Sequence, residues 1–148
     1  MISLLGFLIT GPCWEISLPD TAIPARMRFE GPRRQGAVSV YTALTEFGVF
    51  SLELWVSGKS LENKVFSKFS ERPKLLGADT LSGWRVEHYL AKGNLWNLEV
   101  PNTSIVLASR QSPCGALHLA FLVPGEKILF DEKRLIRAIL SAYNLTGE

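Results

Sequence analysis

A chain of 148 residues supports one well-buried core and is too short for two ordinary domains, so we read residues 1–148 as a single domain. Hydrophobic residues make up 47% and charged residues 20%, which excludes a disordered chain. A net charge of +2 is too small to argue for nucleic acid, and two cysteines are too few for the disulfide framework of a small secreted domain.

Ile2 to Thr10 (ISLLGFLIT) is as apolar and as long as a signal-peptide core, but no Lys or Arg precedes it. It is also far too short to span a bilayer. We read it as a buried strand of a cytoplasmic protein; the alternative is an exported or membrane-attached chain with an atypical start. Trp14, Ile16 and Leu18 alternate with Glu15 and Ser17, a half-buried strand ended by Pro19-Asp20. Met27 and Phe29 alternate with Arg26, Arg28 and Glu30 in a second strand, and Gly31 to Gly36 (GPRRQG) reads as an exposed turn. Ala37 to Leu44 and Val49 to Val56 are the next two strands.

Ser60 is placed to cap a helix running to Phe69, because Leu61, Val65 and Phe69 fall on one helical face. Trp84 to Leu90 returns to period two, Lys92-Gly93-Asn94 has hairpin chemistry, and Trp96 to Val100 alternates again. Ser104 to Ser109 and Ala116 to Val123 are two further strands. Asp131 to Asn144 (DEKRLIRAILSAYN) is an amphipathic helix carrying Leu135, Ile136, Ile139, Leu140 and Tyr143, with Asp131 as its N-cap. The expected fold is therefore α+β: a curved, mostly antiparallel sheet with two amphipathic helices packed on it.

The inventory for chemistry is short. His88 and His118 each sit within a strand pattern, where a structural or surface histidine is the simpler reading. No HExxH, CxxC, GxSxG or phosphate-binding glycine loop is present, and scattered single Cys and His residues do not make a zinc site. We expect no metal and no cofactor. Cys13 and Cys114 read as two buried thiols, or as one disulfide if the fold brings their strands together. The arginines Arg26, Arg28, Arg33 and Arg34 flank Phe29 and read as a solvated face able to meet an acidic partner. Trp55 alternates with Ser51 and Glu53 on the less apolar side of its strand. With Tyr41 and Tyr89 it is a candidate aromatic anchor.

With WEISLPD opening a strand, a middle helix at Ser60 to Phe69 and a terminal RLIRAILSAYN helix, the element order resembles the Mog1/PsbP-like superfamily, including the small bacterial DcrB-type proteins. That resemblance implies an antiparallel sheet between helices and a role in binding other proteins, often without catalysis. Members include accessory proteins of secretion systems. It transfers no site residue.

The sequence thus points to a non-enzymatic protein-binding module of the accessory, inhibitor or immunity type. Its partner is another protein, met by Trp55, Tyr41 and Tyr89 with Arg26, Arg28, Arg33 and Arg34 at the rim. The alternatives are a small-molecule or lipid carrier with an apolar pocket, and a hydrolase or transferase pairing a cysteine with a histidine.

Overall fold

The computed structural model describes residues 5–24, 27–35, 38–45, 48–56, 65–67, 69, 71–92 and 102–146. In chain order the strands are β1 (Leu5–Thr10), β2 (Trp14–Pro19), β3 (Phe29–Gln35), β4 (Val38–Thr45) and β5 (Gly48–Val56). Then come β6 (Lys74–Leu81), β7 (Trp84–Lys92), β8 (Asn102–Ser112) and β9 (Gly115–Pro124), the helix α1 (Phe130–Ser141) and a short strand β10 (Tyr143–Leu145). Seven strands form one antiparallel sheet in the order β3-β4-β5-β9-β8-β7-β6, and a second sheet runs β1-β2-β10.

The expected α+β arrangement is overturned. Among the described residues the protein is mostly β, with two antiparallel sheets and one helix longer than a turn. Of the helix expected from Ser60 to Phe69, the described residues Val65 and Phe66 are helical and Ser67 is a turn; residues 60–64 and 68 lie outside the described residues. The apolar spacing that suggested a helix face is still used for burial, because Val65, Phe66 and Phe69 all pack into the core. The Gly93-Asn94 turn and the Trp96 to Val100 strand also lie outside the described residues.

Both faces of the sheet's central strands are covered, which explains why the middle of β8 and most of β9 are buried without alternation. One row across the sheet, Tyr41–Leu52–Phe121–Val106, belongs to the cluster that takes in Ile16 of β2 and Leu135 and Ile139 of α1. The neighbouring row, Val40–Glu53–Ala120–Leu107, lies on the opposite face, where Val65, Phe66 and Phe69 cover it. Trp14, Trp84, Phe50 and Phe121 are fully buried between the layers on the first face. Burying such side chains contributes roughly 1.5–3 kcal/mol each before entropy is counted.

Four local departures from the sequence reading have identifiable causes. β6 was not expected, because it lies at the outer edge with its residues almost all exposed and so shows no period-two signal. It is joined to β7 by Ser82-Gly83, whose φ values of 50° and 84° suit a tight two-residue hairpin. α1 starts one residue early, where the Glu132 carboxylate accepts the Leu129 N–H at 3.0 Å in place of a cap from Asp131. It also stops at Ser141, and Tyr143 opens β10 instead of continuing the helix.

Cys13 and Cys114 are joined in a disulfide, with Cα atoms 6.1 Å apart, so the reading of two buried thiols is corrected. The bond ties the β1–β2 turn to the β8–β9 turn and links the small sheet to the large one.

Candidate protein-binding groove

β3 is an outer strand of the large sheet, and its register against β4 slips between Glu30 and Arg33. Glu30 pairs with Thr42 and Arg33 with Val40, so Gly31 and Pro32 together stand opposite Tyr41 alone. This is a β-bulge, and the sequence Gly-Pro accounts for it. Gly31 has φ 127°, and a Cβ there would lie 2.7 Å from the Val40 carbonyl oxygen. Pro32 has no N–H to give to a ladder. The segment read as an exposed turn is therefore a strand that continues to Gln35 through a bulge.

Beside the bulge lies a groove of ≈ 540 Å³. Its wall is Glu30, Gly31, Pro32 and Arg33, and its floor is Val40, Thr42 and Val49. The volume falls in the ordinary range for ligand sites, and the lining combines an apolar floor with one acid and one base. Glu30 and Arg33 are both exposed, and among the described residues neither is ion-paired. Arg28 and Arg34 are likewise exposed and, among the described residues, without an ion pair. Arg34 pairs in the ladder with Ser39 and so belongs to the face opposite Arg33. Arg26 lies outside the described residues.

The expected aromatic anchors do not form one surface. Tyr41 and Tyr89 are each 9% exposed and belong to the two separate core clusters on opposite faces of the sheet. Burial pushes the Tyr41 phenol above its ordinary pKa, opposed by the nearby Arg34 cation. Tyr89 meets the Phe66 ring edge-on at 4.9 Å. The backbone of Trp55 stands opposite His118 in the β5–β9 ladder, and its side chain lies outside the described residues. Alternation along a strand does not separate core from surface when both faces are covered, so Tyr41 and Tyr89 had no outward signal.

His88 sits in β7 on the side of α1, where burial and then the Lys133 charge hold its pKa below the ordinary value. Its Nε2 has no hydrogen-bond partner. In the disulfide-bonded protein neither cysteine sulfur is a thiolate, which removes the nucleophile from the Cys-His reading. Among the described residues no group of three or more His, Cys, Asp or Glu side chains is placed to hold a metal ion. No helix of the described residues is long and apolar enough to cross a membrane.

The groove residues Gly31, Pro32, Thr42 and Val49 were not singled out by sequence reasoning. The available signal was Gly-Pro inside an otherwise alternating stretch, which marks an edge strand or bulge as readily as a turn. No protein-family model matches the chain, and no curated protein matches it.

Proposed function

We propose that this is a non-enzymatic protein-binding module that meets its partner along β3, with the arginines on the strand and its approach supplying attraction and orientation. The observation that carries this reading is an outer strand with Arg33 on an open groove, Arg34 on its other face and Arg28 just before it, all exposed and, among the described residues, without an ion pair. Unpaired surface cations cost little in water but steer and orient an acidic surface on approach. The aromatic part of the earlier expectation is not retained, because Tyr41 and Tyr89 are core.

The disulfide supports an oxidising compartment over the cytoplasm, since cytosolic thiols are kept reduced. The likeness to the Mog1/PsbP-like superfamily rests on element order, and the module reading does not depend on it.

The test compares proteins retained from extracts of the native host by the wild-type chain and by the Arg28→Glu/Arg33→Glu/Arg34→Glu variant. All three positions are exposed, so the variant should fold with an unchanged melting transition. A stoichiometric partner should be recovered by the wild type and reduced about tenfold or more by the variant. Equal recovery by both proteins places the interface elsewhere, and a lipid or small molecule carried through purification favours the carrier.

A further inference from the structure

In a regular strand Glu30 and Arg33 would fall on opposite faces, because side chains alternate and the two are three residues apart. The bulge adds one residue and reverses that parity. Glu30 pairs with Thr42 and Arg33 with Val40, and both line the same groove. The strand therefore carries an acid and a base on one face without joining them in an ion pair. Their ladder positions are two residues apart along β4, about 6.6–6.8 Å in extended chain.

We infer that the groove reads an extended segment of a partner protein bearing a lysine and an acidic residue at positions i and i+2. The spacing of such side chains along an extended segment equals that of the two ladder positions. The acidic residue meets Arg33, and the lysine ammonium meets Glu30. The lysine stem lies against the partly exposed Val49. A pair of opposite charges fixes the direction in which such a segment lies, because the opposite direction brings like charges together. This inference rests on the protein-binding reading and names what its groove would recognise.

The experiment titrates the full-length, disulfide-bonded chain with two capped, fluorescent peptides, Ser-Lys-Val-Asp-Ser and Ser-Lys-Val-Lys-Ser, followed by anisotropy and by amide chemical shifts. The wild type should bind the first about tenfold more tightly than the second, which brings a lysine against Arg33 in either direction. Arg33→Glu leaves two acids on the groove and should invert the preference. Thr42→Trp, which fills the floor while favouring a strand, should abolish both.

Equal affinity for the two peptides, a preference that Arg33→Glu does not invert, or no saturable binding to low millimolar peptide would each overturn the inference. If one of these is found while reversal of the three arginines still loses the native partner, the module stands and only the groove assignment falls. If the arginine reversal has no effect either, both fall.

Discussion

His88 shows how the burial of one side chain sets a pH dependence. Its ring is held below its ordinary pKa of 6.5 by burial and by Lys133. As pH falls through about 6.5, the unfolded chain takes up a proton that the folded chain resists. Stability is therefore present above that pH and is lost as the solution becomes more acid. Urea midpoints measured between neutral pH and roughly pH 5 should decline, and the decline should be smaller in His88→Leu. Glu132 acts with the opposite sign. Its carboxyl is pushed up by burial and by Asp131, though the Leu129 N–H bond pulls it down. The folded chain thus holds that proton more tightly than the unfolded one just above the ordinary carboxylate range, and mild acid favours it.

At the scale of elements, the end of α1 is decided by neighbours that the helix pattern does not contain. The Trp84 indole donates to the Leu140 carbonyl at 2.7 Å, taking up one of the acceptors left open at a helix C-terminus. Tyr143 then stacks on Trp14, meets Trp84 edge-on and carries the Arg110 guanidinium 3.8 Å above its ring. Trp84→Phe keeps most of the apolar volume and removes the donor, so it should lower unfolding free energy by about 1–3 kcal/mol in urea denaturation.

The same elements show what the sequence could disclose. β2, β4, β5, β8 and β9 were legible because their apolar runs match the period of a buried strand. Most of α1 was legible for the corresponding helical reason. β6 was not, since an exposed edge strand has no buried face to imprint a pattern. β10 was hidden because Tyr143 falls in step with the helix, while its contacts with Trp14, Trp84 and Arg110 and the ladder with β2 hold it elsewhere. Of the candidate site, the arginines could be read directly. The groove could not, because it depends on a register slip between β3 and β4 that is set by tertiary pairing.

For the whole molecule, both outer strands of the large sheet are defended against further pairing. β3 has its bulge, Pro32 and arginines; β6 has a bulge between Leu75 and Gly77, and Asp79 accepts the Thr80 N–H at 2.7 Å. The two sheets share a core and one covalent link, Cys13–Cys114, whose sequence separation is 101. Removing the link in Cys13→Ser/Cys114→Ser should lower stability by ~2–5 kcal/mol. The check is denaturation of the variant beside the wild type with and without reductant, and the reduced wild type should coincide with the variant.

That link also makes a closed covalent circuit of everything from β2 to β8, with β1 and the β9–α1–β10 segment attached as two tails. A single backbone cut anywhere in the circuit opens the ring but releases no fragment. The cleaved protein remains one molecule of unchanged mass apart from an added water, held until a reductant separates its pieces.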